Sequence, residues 1–132
     1  MLKLVPRILT GLLGALLALP FALQWLLAPR AQSAPLGISL DGAAALSQMR
    51  GDTGGVFFAV GALAILGLIR RQPAYLEAVA LIMASIIAGR LLSIALDGFV
   101  SQVGVAMAFE LATALATFAT ARQLRAGASA VS

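Results

Sequence analysis

The sequence predicts an all-α integral membrane protein: an up-down-up-down four-helix bundle with both termini in the cytoplasm. Three observations predict it. Hydrophobic residues make up 61% of the 132-residue chain, well above the ~45–50% apolar share of soluble domains. They gather into four runs, each near the roughly twenty residues needed to cross a ~30 Å hydrocarbon core. The charged residues, 11% of the chain, collect mainly at the ends of those runs. The expected organisation is one transmembrane domain over 1–125, with helices at about 7–28, 50–69, 74–96 and 101–122, and a polar tail over 126–132.

The first helix follows Lys3, Pro6 and Arg7. A cleaved leader competes with this reading, since Ala31-Gln32-Ser33-Ala34 resembles a cleavage site. The run is longer than the ~7–15 residues of a signal core, which favours a span. Pro20 lacks the N–H that would close its turn and should kink the outer half of the helix. Trp25, near the outer end, reads as an interface anchor.

Residues 29–49 form the long connection, broken by Pro29, Pro35, Gly37 and Gly42. Asp41 is expected to cap a short helix through Ala43, Ala44, Ala45 and Leu46. The second helix starts near Arg50-Gly51-Asp52-Thr53-Gly54-Gly55 and ends at the basic turn Arg70-Arg71-Gln72-Pro73. Short turns after the second and third helices imply antiparallel neighbours. Rows of small residues at four-residue spacing, Gly14/Ala18/Ala22, Ala80/Ala84/Ala88 and Ala108/Ala112/Ala116, would let these helices approach closely.

Basic residues set the orientation. Lys3, Arg7, Arg70, Arg71, Arg122 and Arg125 fall on one side, whereas Arg30 and Arg50 on the other are offset by Asp41, Asp52 and Asp97. Positive-inside logic makes the first side cytoplasmic, in a bacterial inner membrane if the source is bacterial. The net charge of +4 forms no basic stripe, so nucleic acid is not an expected partner. Without cysteine or histidine the chain lacks thiol chemistry, the commonest haem and zinc ligand and the usual general base. No cofactor or metal site is expected.

The informative stretch is Gly89-Arg90-Leu91-Leu92-Ser93-Ile94-Ala95-Leu96-Asp97-Gly98, an apolar span with an arginine inside it. Arg90 lies seven residues before Asp97, and Glu110 nine after Ser101. At ~1.5 Å per residue both sit about 10–13 Å below the outer boundary. Side chains lean toward their own helix N-terminus, so on antiparallel helices the two converge. A lone charge at mid-membrane costs about 2.5–3.5 kcal/mol on insertion scales, so an Arg90–Glu110 ion pair is expected. Arg90, Ser93 and Asp97 share one side of the third helix, and Glu110, Thr113, Thr117 and Thr120 make a stripe down the fourth. Both stripes should face inward. Arg50 and Asp52 should complete an outer-side cluster, with Asp52 near the positive end of its helix.

Two readings of this cluster stand side by side. It is an ion-pair clamp that fixes register, with the threonines bonded to their own carbonyls. Alternatively it floors an outward-opening pocket for a lipid, quinone or other hydrophobic small molecule. A proton relay is a third, weakened by the arginine that holds the carboxylate.

At 50–59, 88–98 and Glu110 the chain resembles a bacterial family of four-span membrane proteins catalogued as a domain of unknown function, which is similar to the wider DoxX-like set. The resemblance covers the chain from the first helix to Arg122 and marks Arg50, Gly54, Gly55, Gly89, Arg90, Asp97, Gly98 and Glu110. It implies an association with membrane oxidoreductase complexes, in which a chain without Cys or His would be a redox-inert subunit.

The leading expectation is therefore a non-enzymatic accessory subunit, or a binder of a hydrophobic small molecule, partnered by the lipid bilayer and by a membrane protein or a second copy. An enzyme comes second, because a carboxylate held by arginine suits neither a general acid nor a strong base. A small proton-coupled exporter comes third, because the charge bias fixes one orientation.

Overall fold

The computed structural model describes residues 4–129. Lys3 and the last three residues of the expected tail lie outside the described residues. The regular elements of the described chain are all helical, without strands, and four of its helical stretches are long and apolar enough to cross a membrane: Leu4–Leu27, Gly42–Ile69, Pro73–Asp97 and Ser101–Ala128. The described residues divide into two compact units, one made of 4–12 and 63–129, the other of Leu13–Ala62.

The Leu13–Ala62 unit takes the later part of the first span, the connection and the first three quarters of the second span. Helix α1 (Leu4–Leu16) passes into a π-helical turn (Leu17–Phe21) and then α2 (Ala22–Leu27). Pro20 lies inside the widened turn, which closes with the Ala22 N–H donating to the Leu17 carbonyl. A five-residue loop of this kind accommodates a residue with no N–H of its own, so the helix continues past the proline. After α3 (Pro29–Ser33) and a 3₁₀ turn (Ala34–Leu36), helix α4 (Gly42–Gln48) runs through a second π-helical turn (Met49–Gly55) into α5 (Val56–Ile69).

Two expectations are corrected here. Asp41 sits at the N-cap of α4 but makes no side-chain cap; its carboxylate accepts from the Ser39 hydroxyl at 2.7 Å. The helix containing the second span begins at Gly42, eight residues before the expected start at 50. The Gly-rich run 51–55, expected at the start of the helix, lies inside it, carried by the π-helical turn.

The small-residue row of the first span does the packing expected of it. Gly14, Ala18 and Ala22 are buried, and Gly61 of α5 comes so close that a Cβ there would meet the Gly14 carbonyl and the Ala18 nitrogen. Phe21 and Phe57 close the same contact with tilted rings 6.5 Å apart.

The other unit is built on α6 (Pro73–Asp97) and α7 (Ser101–Ser129), which pack along each other. Gly98, at φ +93°, ends α6 with its N–H on the Ile94 carbonyl, so the chain turns within three residues. Helix α7 continues beyond the expected end at Arg122, because Gln123, Leu124, Arg125, Ala126 and Ala128 are all good helix formers. The end of α5 is a Schellman turn: Arg71 N–H donates to the Leu68 carbonyl and Gln72 N–H to the Gly67 carbonyl. Arg71 occupies the left-handed position of that turn at φ +53°, where glycine is usual and an L side chain costs about 1–2 kcal/mol.

The alanine rows of α6 and α7 are not their main buried faces. Ala84, Ala88, Ala108 and Ala112 are exposed, while Leu76, Val79 and Met83 on α6 and Glu110, Thr113, Ala116, Thr117, Thr120 and Ala121 on α7 are buried. A threonine that returns its hydroxyl to its own helix presents a methyl to its neighbour, so a Thr stripe packs as a small apolar surface.

The Gly61 contact carries a test. Gly61→Ala puts a methyl against backbone atoms that cannot rotate away. It should lower stability in detergent by at least about 1–3 kcal/mol, the usual cost of overpacking. Gly89→Ala, where nothing lies within 4 Å, should leave the thermal midpoint unchanged or raise it.

Candidate functional site

Arg90 and Glu110 meet across α6 and α7. The Arg90 Nε donates to both carboxylate oxygens at 2.8 Å, and Nη2 reaches Oε1 at 2.7 Å. Short charge-assisted bonds of this kind are about twice as strong as neutral ones. The Glu110 side chain is 10% exposed and that of Arg90 34% exposed. The expected ion pair is present, and the acid is the more covered partner.

A second ion pair holds the other end of the helix pair. The Arg125 Nε and Nη2 donate to the two oxygens of Glu77, each at 2.6 Å. Glu77 lies 13 residues before Arg90 on α6, and Arg125 lies 15 after Glu110 on α7, roughly 20 Å of helix in each case. The pairing runs in opposite senses, so α6 and α7 form an antiparallel hairpin bracketed by carboxylate–guanidinium contacts. The Glu77–Arg125 pair is exposed, so solvent and salt screen it and it holds the helices less firmly than the Arg90–Glu110 contact.

Between the two brackets the threonines bond inward to their own helix. Thr113 donates to the Phe109 carbonyl at 2.9 Å, Thr117 to Thr113 at 2.8 Å, and Thr120 to Ala116 at 2.8 Å. Thr120 also meets Thr10 of α1, hydroxyl to hydroxyl, at 3.1 Å with both residues fully buried. With their hydroxyls already committed, these side chains offer little to a ligand and much to packing.

Ser93 donates to the Asp97 carboxylate at 3.1 Å, but both residues are exposed. The inward-facing stripe expected on α6 is therefore carried by Arg90 alone, because the cover on α6 thins toward its end and leaves the last turns open. Arg50 and Asp52 belong to the Leu13–Ala62 unit. There the Arg50 Nε donates to the Leu26 carbonyl at 2.9 Å, answering one of the orphan acceptors at the end of α2. Gly54 lies against the same residue, since a Cβ would stand 2.9 Å from Leu26 Cγ. Asp52 is exposed in the π-helical turn. The Arg50–Gly55 motif thus performs a structural task, closing the end of the first span.

Two contacts have little sequence signal. Thr10 is the lone uncharged polar residue of α1, and nothing in its spacing names Thr120 as its partner. Glu77 and Arg125 sit among residues that read as span ends, where charge is ordinary.

The geometry makes the Arg90–Glu110 contact a clamp with a measurable coupling. Arg90→Leu or Glu110→Leu alone strands one charge and should cost about 2–4 kcal/mol, the fully buried value reduced for the exposure of Arg90. Replacing both with Leu should recover most of that loss. A double-mutant cycle on thermal unfolding in detergent checks it.

No curated protein and no solved structure matches this chain. A family model does, over residues 5–121, a stretch that includes the Arg50–Gly55 turn, Arg90, Asp97 and Glu110. With the match running across all four candidate spans, the chain belongs to the family described as a domain of unknown function (DUF4345).

Proposed function

We propose that this small membrane protein is a non-enzymatic accessory subunit that contacts a membrane protein partner or a second copy of itself through α6. The observation that carries the reading is the bareness of that helix. Its apolar stretch is only 11% buried, against 22% to 28% in the other three spans. The uncovered side holds Ala84, Ala88 and Gly89, with nothing within 4 Å of a Cβ built at Gly89. Small residues left open on a membrane helix permit close approach of another helix. The resemblance to DoxX-like proteins supports a redox-inert subunit beside a catalytic partner. The distribution of Arg7, Arg70, Arg71, Arg122 and Arg125 against Arg30 and Arg50 supports cytoplasmic termini in a bacterial inner membrane.

A second reading, a binder of a lipid, quinone or other hydrophobic small molecule beside Arg90, rests on one observation. With Nε and Nη2 on Glu110, the Arg90 side chain is still 34% exposed and has donor capacity to spare.

Gly89→Leu separates the two. It adds bulk where this chain has no neighbour of its own, so the fold should survive with an unchanged thermal midpoint. Native mass spectrometry of protein extracted in mild detergent should show a stoichiometric second chain that Gly89→Leu removes. A monomer in both variants, carrying a small molecule lost on Arg90→Leu, contradicts the subunit reading and supports the pocket.

A further inference from the structure

We propose that the unit built on α6 and α7 carries a second, separate site: a pocket for a phosphate group, of the kind an anionic phospholipid headgroup presents. Arg7 of α1, Arg71 of the turn after α5, and Gln123, Leu124, Gly127 and Ala128 of α7 line a cavity of about 320 Å³. Its volume is in the range of small-ligand pockets, which begin at ~300 Å³.

Three features of the lining point to a ligand, and the first gives it an anionic group. Two guanidinium-bearing residues face one cavity with no carboxylate among the lining residues. Among the described residues the side chains of Arg7 and Arg71 have no hydrogen-bond or ion-pair partner, whereas those of Arg30, Arg50, Arg90 and Arg125 do. Like charges sharing a cavity repel, and a phosphate that takes bonds from both removes the repulsion.

The second feature is Gln123, whose Oε1 is buried without a hydrogen-bond partner. An unanswered buried acceptor is costly, and a headgroup hydroxyl or ammonium would answer it. The third is the backbone. Arg71 stands at φ +53°, at the turn position where glycine is unstrained, so the chain holds an arginine beside this cavity against a local conformational cost. Leu124 and Ala128 add an apolar wall suited to the glycerol end of a lipid. Basic pockets among membrane helices are recognised places for anionic headgroups. Free inorganic phosphate has the same oxyanion chemistry, and the experiment distinguishes the two sources.

The full chain in neutral detergent is titrated with phosphatidylglycerol, phosphatidylcholine and inorganic phosphate, with bound ligand read by native mass spectrometry. Phosphatidylglycerol should bind at least about tenfold more tightly than phosphatidylcholine, whose phosphate is the same but whose quaternary ammonium brings a positive charge toward Arg7 and Arg71 and has no N–H to donate. Arg71→Gly removes the guanidinium and relieves the turn. It should weaken phosphatidylglycerol binding about tenfold while leaving the lipid-free thermal midpoint unchanged or higher. Arg7→Gln should weaken binding to a similar degree. Inorganic phosphate binding that is lost in the same variants supports the phosphate site and assigns it a soluble ligand. Binding of both anions that is indifferent to Arg71→Gly and Arg7→Gln overturns the proposal.

Discussion

An arginine seven residues from the end of an apolar helix must have its charge answered close by, and the hairpin of α6 and α7 is arranged around that requirement. Glu110 lies where the side-chain leans of two antiparallel helices converge, and it gives both oxygens to the Arg90 guanidinium. Apolar faces alone set register loosely in a membrane, because lipid tails solvate leucine as well as another helix does. One short bidentate contact set inside the spans, with an exposed pair about 20 Å away, narrows the choice of register. The threonines then fit as packing surface, their hydroxyls already returned to α7.

The Leu13–Ala62 unit meets a different constraint, that of keeping backbone groups satisfied where a helix is interrupted. Pro20 and the Gly-rich turn at 51–55 would each break a helix, and both are carried in π-helical turns. The open carbonyl at Leu26 is answered by Arg50, which makes this arginine a capping group. Gly61 and Gly54 serve by having no side chain, the first against the backbone of α1 and the π-helical turn at 14–18, the second against Leu26.

The legible features were those with a period or a cost. Four apolar runs foretold four candidate spans, and the expense of a charge inside a span foretold the Arg90–Glu110 pair with its partner helix. What could not be read depended on how much cover each helix receives. Ser93 and Asp97 share Arg90's side by spacing, yet the cover on α6 thins before it reaches them. The alanine rows of α6 and α7 suggested close packing, and the threonine stripe took that role, because spacing cannot tell a lipid-facing or partner-facing row from an internal one. The left-handed Arg71 gave no sign either, since the usual marker of that turn position is glycine.

These features separate two kinds of work in one small chain. The clamp and the threonine stripe build the hairpin, while the groups left open, the bare side of α6 and the cavity beside Arg71, are where other molecules would act. The hairpin's dependence on its ion pair is tested most directly by a distance. The chain has no cysteine, so spin labels placed at Leu81→Cys on α6 and Leu115→Cys on α7, both exposed positions, report on that helix pair alone. Pulsed electron paramagnetic resonance in lipid should give a narrow distance distribution with Arg90 and Glu110 in place and a broadened or shifted one when both are leucine. A distribution equally narrow and centred at the same distance in both backgrounds would show that apolar packing, and not the ion pair, sets the register.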